Sequence, residues 1–352
     1  MLDDLKPLSD AQRSRGRVQA VGLISGGLDS TLAARLLIEQ GFRPDLVAFA
    51  TPFFGPDKAK KAAEVLGLPL TVLDLYDDLL PLIKNPAHGL GRNLNPCVDC
   101  HALMFRKAGE LLDRPGFLFS GEVLGQRPMS QNSQAMKIVA RGSGRPGFIL
   151  RPLSARLLEP TEAETRGWVD RERLLGLSGR SRRAQLDLAA AFGLSAPPSA
   201  GGCLLTDPIF SRRLQWLLDR PEGRLDPAWP PARLVEIIKH GRLFAAESGA
   251  WLAVGRNKAD NQRLAALARS GDLICRLEEA PGPLTLGPGP APHSPETLAL
   301  ARSLTAAYGG RGQADFILVR TKIMGQGYTL EKVRAAAAAG GLNHGEDVCL
   351  VK

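Results

Sequence analysis

Along the first third of the chain, short unbroken apolar runs alternate with stretches in which apolar residues recur at helical spacing. The run Val18 to Ile24 is compact, rich in β-branched residues and closed by glycine, which predicts a buried parallel strand. Leu32, Leu36 and Leu37 then fall on one helical face, with Arg35 and Glu39 on the other and Gly41 as a stop. "LVAFATPFF" predicts a second strand, "DKAKKAAEVLG" a helix and "LPLTVLDL" a third strand. "NPCVDCHALMFRKAGELLD" predicts a further helix, and "PGFLFSGEVLG" a strand leading into a glycine turn. Strands alternating with helices in this way imply an α/β fold, an open, doubly wound parallel sheet.

The pattern changes after residue 140. Residues 141 to 183 are rich in arginine, and "GRSRRAQLDLAAAFG" belongs to a short helical region. "LSAPPSAGGCLLTDP" reads as a loop, and the cluster "DPAWPP" as a linker. At 352 residues the chain is long enough for two or three domains, each with its own core. The formal charge of +9 favours a polyanionic partner. The first residues, "MLDDLKPLSDAQRSRGR", lack the apolar centre of a signal peptide, and no segment reaches membrane-spanning length, so a cytoplasmic protein without membrane contact is expected. Five cysteines without a secretion signal argue for metal, redox or core roles rather than a disulfide framework.

Chemistry enters at Ser25-Gly26-Gly27-Leu28-Asp29-Ser30, which lies between the first strand and the first helix. Such a loop presents free backbone N–H groups at a helix N-terminus, where partial positive charge collects, and this suits phosphate. A Walker A loop would need a lysine after its second glycine, where Leu28 and Asp29 stand, and the G-x-G-x-x-G spacing is also absent. Ligands bind such sheets at the carboxyl ends of the strands, which places Ala50, Thr51 and Phe53 near a bound nucleotide.

Cys97 and Cys100 stand at i and i+3 on the first turn of a helix, so their sulfurs share a face. A C-x-x-C is compatible with half a zinc site, a redox pair, two cluster ligands or coincidence. Cys203, preceded by two glycines that let the backbone approach another group, supplies a third thiol. Three thiolates without a fourth Cys or His at ligand spacing suit a cubane cluster with one open iron better than a closed zinc site. His101 adjoins Cys100 on a different helix face, and Cys275 and Cys349 lie in strand-like apolar contexts that read as core.

"SGGLDS", "NPCVDCHALMFRKAGELL" and "FSGEVLGQRPMSQ", in that order, resemble the motifs of the PP-loop tRNA thiouridine synthases, which include tRNA 4-thiouridine synthases and tRNA 2-thiouridylases. "AGGCLLTDPIFSRRL" is similar to the second cysteine motif of a stand-alone subgroup, so the resemblance runs from about Val18 to Leu218. It implies ATP-dependent thiolation of a tRNA uridine, with 4-thiouridine slightly preferred over 2-thiouridine. The carbonyl oxygen is adenylated, pyrophosphate leaves, and sulfur displaces AMP. By this resemblance Ser25, Gly26, Gly27, Asp29 and Ser30 hold the pyrophosphate end, Asp29 binds Mg²⁺ or orients the reaction, and Gly121 sits by the adenosine. Cys97 and Cys203 stand at the sulfur-transfer centre, and with Cys100 they would ligate a [4Fe-4S] cluster. The sulfur donor would be inorganic sulfide or a cysteine desulfurase. THUMP and rhodanese segments typical of 4-thiouridine synthases have no counterpart here.

"WLAVGRNKADNQRLAALARSGDLICRLEEAPGPLTLGPG" resembles the core of the NFACT RNA-binding domain, and "GGRGQADFILVRTKIMGQG" extends it with a basic strand. This resemblance implies phosphate contacts from Arg256, Lys258, Arg320 and Lys322, with Asn257 and Arg311 as further candidates. With three Tyr and four Trp in the chain, recognition by shape and backbone is expected rather than by stacked bases. The expected organisation is a PP-loop ATP pyrophosphatase domain at 1–140, an Arg-rich adaptor with the distal cysteine at 141–228, and the RNA-binding domain at 229–352. Two other functions compete: a nucleoside-forming ligase of the 7-cyano-7-deazaguanine synthase type, with structural zinc, and a non-catalytic RNA-binding factor that keeps a nucleotide fold.

Overall fold

The computed structural model describes residues 18–195, 202–221, 228–246, 249–289, 292–309, 316–334 and 348–351. The chain divides into two compact units, Met1–Thr206 and Asp207–Lys352.

In the first unit the predicted alternation forms β1 (Gln19–Leu23), α1 (Leu28–Glu39), β2 (Asp45–Ala50), α2 (Asp57–Leu66) and β3 (Leu70–Asp74). There follow α3 (Tyr76–Lys84), α4 (Cys97–Gly109), β4 (Gly116–Ser120), α5 (Ser133–Gly142) and the short β5 (Ile149–Leu150). The strands pair in parallel in the order β3-β2-β1-β4-β5. β1 and β4 lie side by side although two strands separate them in sequence, so the order reverses at β1. The carboxyl ends of β1 and β4 therefore bound the crevice where such sheets take ligands. Leu32, Leu37, Phe117 and Phe119 are fully or almost fully buried in the core behind this crevice.

The Arg-rich stretch that follows contains little regular structure: one-turn 3₁₀ segments, α6 (Glu162–Thr165) and α7 (Arg183–Ala191). Specific polar bonds hold it to the sheet layer instead. The Gln40 side chain donates to the Asp170 carbonyl at 3.1 Å and accepts from the Asp170 amide at 2.9 Å.

The second unit contains α8 (Pro208–Leu218), α9 (Ala232–Ile238), β6 (Arg242–Ala246), β7 (Trp251–Val254), α10 (Lys258–Leu267), β8 (Leu273–Leu277) and β9 (Thr285–Gly287). It continues through α11 (Pro295–Gly309), β10 (Phe316–Ile323), β11 (Tyr328–Arg334) and β12 (Val348–Val351). These strands form an antiparallel sheet in the order β11-β10-β8-β9-β7-β6-β12. Ala301, Leu304 and Ala306 of α11 pack on Leu252, Val254, Leu273 and Cys275, closing one face of the sheet. Cys275 is fully buried there. Cys349 lies in β12, and its side chain is outside the described residues.

Candidate active site

The loop between β1 and α1 is fixed by its own hydroxyls and by one left-handed glycine. Gly26 has φ +73°, and a Cβ there would lie 2.2 Å from the carbonyl of Lys58, so the loop sits directly on the first turn of α2. Gly27 precedes α1 without any side-chain cap, while its carbonyl accepts from the hydroxyls of Ser30 and Thr31, both at 3.0 Å. Ser25 Oγ and Ser30 Oγ are 3.3 Å apart. The first N–H groups of α1 therefore have no capping side chain, and the helix dipole directs positive potential into the crevice.

Asp29 lies on that first turn. Its Oδ2 accepts from Gln126 Nε2 at 3.0 Å, while Oδ1 is buried and has no hydrogen-bond partner among the described residues. A buried carboxylate oxygen without a partner is costly and suits a cation. Gly121, just past β4, lets two backbones meet: a Cβ there would fall 2.3 Å from the Ser30 amide nitrogen and 2.4 Å from the Asp29 carbonyl carbon. These features fit Mg²⁺ and a nucleotide phosphate. Ala50 ends β2, with its carbonyl accepting from the Leu75 amide at 3.0 Å. Thr51 Oγ1 accepts from the amides of Phe53 and Phe54, and the buried Phe53 ring packs on Tyr76. Phe53 is therefore held in the core, and its carbonyl accepts from the Leu204 amide at 3.0 Å.

That bond ties the Cys203 segment to the sheet end. Asn93 Nδ2 also donates to the Thr206 carbonyl at 2.8 Å, linking the segment to the loop ahead of α4. From the same loop, Asn95 Nδ2 donates to Cys97 Sγ at 3.2 Å. Cys97, Cys100 and Cys203 are all partly buried free thiols. Burial pushes the Cys100 thiol up, and the neighbouring Cys203, Cys97 and Asp99 add to the rise. Burial also pushes Cys203 up to about 12, reinforced by Cys97 and opposed by the Leu205 amide and the charge of Arg127. Three thiols from segments a hundred residues apart thus lie close enough to repel one another's charge. Among the described residues, however, no three His, Cys, Asp or Glu side chains are set in a metal-holding arrangement. The donor chemistry suits a thiophilic metal, but the expected ligand geometry is not formed.

The sequence reading did not single out the residues that bridge the two halves of this site. Glu122, one residue past Gly121, is buried and receives His101 Nδ1 at 2.8 Å and Arg151 Nε at 2.8 Å. Burial alone would raise its pKa, but Arg151 and His101 outweigh this and hold the carboxyl at about 2. The segment 120–126 thus touches α1 through Gly121 and Gln126, and it touches α4 through Glu122. A carboxylate directly after a strand-ending glycine was the available signal. In the same unit, a cavity of about 370 Å³ lies between α5 and the segment 155–164.

In the second unit the expected phosphate contacts fall on two separate elements. Arg256 and Lys258 are at the start of α10, where Arg256 Nε bonds Asp260 Oδ2 at 2.7 Å and Asn257 caps the helix through the Asp260 amide. Arg320 and Lys322 are on β10, with Arg320 paired to Glu278. Arg311 lies outside the described residues.

Residues 15–156 match the family model described as Thiamine biosynthesis protein (ThiI). The tRNA-specific 2-thiouridylase MnmA of Syntrophotalea carbinolica is 32% identical over 136 residues, which cover 35% of this chain and 38% of that protein. The chain thus spans well under half the length of this curated relative. The C-terminal part of the fibronectin/fibrinogen-binding protein from Streptococcus suis matches 27% of this chain and 45% of its own at 17% identity, with a TM-score of 0.25. A predicted subunit of tRNA methyltransferase from Methanocaldococcus jannaschii matches 49% of this chain and 76% of its own at 15% identity, with a TM-score of 0.33. The parallel strand order and the glycine loop at its switch point, together with the match of residues 15–156 to the ThiI family model, give the first unit an α/β PP-loop fold, and part of the chain is similar to a tRNA-specific 2-thiouridylase.

Proposed function

We infer that the chain is a tRNA sulfurtransferase that uses ATP to thiolate a uridine, with O4 of the base favoured over O2. The observation that carries this reading is that one unit holds a phosphate-type loop and three thiols, with the segment 120–126 bridging α1, which begins at that loop, to α4, which carries Cys97 and Cys100. In the first step the uridine carbonyl oxygen attacks the α-phosphate of ATP. The α–β P–O bond breaks, and pyrophosphate leaves toward the uncapped N-terminus of α1, where the Ser25–Ser30 loop receives it. Asp29 Oδ1 would hold Mg²⁺ against the phosphates, and Gly121, where the end of β4 meets α1, would sit by the adenosine. In the second step a sulfur nucleophile attacks the activated ring carbon and AMP departs with the former carbonyl oxygen. Cys97, Cys100 and Cys203 border the place where that sulfur is delivered. Cys97, Cys100 and Cys203 would be the residues to hold a [4Fe-4S] cluster, although its ligand geometry is not formed among the described residues, and the sulfur itself would come from inorganic sulfide or a cysteine desulfurase. From about residue 229 onward, an NFACT-type RNA-binding domain contributes tRNA affinity through Arg256, Lys258, Arg320 and Lys322.

The test is tRNA-dependent exchange of labelled pyrophosphate into ATP, followed by mass spectrometry of nucleosides from tRNA incubated anaerobically with ATP and sulfide. Exchange that requires tRNA, with 4-thiouridine as product, is expected. Asp29→Ala should abolish exchange while leaving tRNA affinity within about twofold. Loss of tRNA binding in that folded variant, or exchange without tRNA, would overturn the reading.

A further inference from the structure

Among the described residues, α11 closes one face of the second unit's antiparallel sheet over β8, β10 and β11 and no element closes the other. Side chains alternate across these strands, and the register fixes which of them share the other face. Arg320 is opposite Arg276 on β8 and Leu330 on β11, while Lys322 is opposite Ile274 and Tyr328. Alternate positions turn toward α11. Thr321 is buried and accepts from Arg302 Nε at 3.0 Å, and Cys275 is buried beside it. On the open face Tyr328 is 56% exposed and Leu330 45% exposed, and Arg276 and Lys322 are exposed as well.

Two features make this more than a solvated surface. The guanidinium carbon of Arg320 lies 4.4 Å from the centroid of the Tyr328 ring, and Glu278 grips the same guanidinium through both carboxylate oxygens. A tyrosine with two side-chain torsions is thereby stacked with an arginine that is itself pinned, so little conformational freedom remains to be lost on binding. Among the described residues of this face, Arg276, Arg320 and Lys322 are set against the carboxylate of Glu278, which leaves the patch a positive balance. A flat aromatic and guanidinium surface set in positive charge matches unpaired nucleotides, whose bases stack while their phosphates meet cations.

We propose that this open face, centred on Tyr328 and Arg320, is a stacking platform for an unpaired base of RNA. The proposal rests on the chain acting on RNA and changes the mode of contact from the phosphate-only recognition that the sequence suggested. Arg320 serves as a stacking plane held by Glu278, while Arg276 and Lys322 meet the phosphates on either side. An acidic protein segment would find the charge but gain little from the exposed ring.

The experiment measures binding of fluorescein-labelled single-stranded oligouridine and oligoadenosine, and of an RNA duplex, to the full chain by anisotropy across a salt series, without ATP or sulfide. Tyr328→Ala should weaken single-strand binding by ~5- to 150-fold, the range for one stacked base, with an unchanged salt slope because no charge is lost. Tyr328→Trp should retain binding. Lys322→Ser should flatten the slope by about 0.7. Circular dichroism checks that each variant is folded. Wild-type protein that does not bind single strands, or a folded Tyr328→Ala variant that binds them as wild type does, overturns the proposal. So does an equal loss on duplex RNA, or displacement of the strand by an acidic peptide irrespective of Tyr328. Thiolation is assayed in parallel on tRNA. A chain that thiolates tRNA while ignoring Tyr328 refutes the platform alone, and one that binds strands through Tyr328 without thiolating refutes the sulfurtransferase reading alone.

Discussion

Gly121→Ala tests whether the crevice works through close backbone approach. The new methyl carbon would lie 2.3, 2.4 and 2.5 Å from the Ser30 nitrogen, Asp29 carbonyl carbon and Ser30 Cα, all of them backbone atoms that no rotamer change can move aside. Ordinary carbon contacts are at ~3.5 Å, so the end of β4 and the first turn of α1 must separate by roughly 1 Å. Overfilling of this kind costs ~1–3 kcal/mol, which lowers Tm by about 2–4 °C per kcal/mol in a unit of this size. The functional effect should be larger, because a displacement of ~1 Å between reacting groups costs on the order of 100-fold in rate. The assays are differential scanning fluorimetry and tRNA-dependent pyrophosphate exchange. Gly55→Ala is the control, since a Cβ there meets nothing within 4 Å. A Gly121→Ala protein with wild-type Tm and wild-type exchange would refute the close approach. One with lowered Tm but full exchange would show that the approach is structural only.

The buried Glu122 should give the first unit a signature in acid. Its carboxyl is held at about 2 against an ordinary 4.5, so the stability it confers is complete above pH 4.5 and is lost as pH falls through 2. Denaturant titrations of wild type should lose up to ~3 kcal/mol across that window, and Glu122→Gln should be less stable at pH 6 and lack this share of the acid slope; equal slopes would refute the pairing. Anaerobically purified protein should contain iron that is lost on replacing Cys97, Cys100 or Cys203 with Ser but kept in Cys275→Ser; elemental analysis that finds zinc instead would exclude the cluster. Removing Arg256, Lys258 and Lys322 together should flatten the salt dependence of tRNA binding by about 2.1 to 2.7 units, at 0.7 to 0.9 per contact. An unchanged slope would place docking elsewhere in the chain.

Local pattern was enough for the nucleotide half of the site. The apolar run of β1, the helical spacing of α1 and the glycines between them are all written within about twenty consecutive residues, so strand, loop and helix could be read without tertiary contacts. Patterning failed where it is diluted. α3 carries Pro81 inside nine residues, β5 has two residues, and the arginine-rich stretch from 141 is held by bonds such as Gln40 to Asp170 rather than by any period. The sequence puts Phe53 near the nucleotide, whereas its ring is buried in the core against Tyr76 of a helix that no pattern announces.

The α/β class, the phosphate-type loop and the three cysteines worth watching are legible along the chain, because strand and helix periods and short-range spacings are local properties. It took the packed fold to bring Cys203 to Cys97 and Cys100, through Asn93 to Thr206 and Phe53 to Leu204, and to connect α4 to the nucleotide side through Glu122. That fold also stacks Tyr328 and Arg320 on an open sheet face, since cross-strand register selects such pairs and no single segment encodes it.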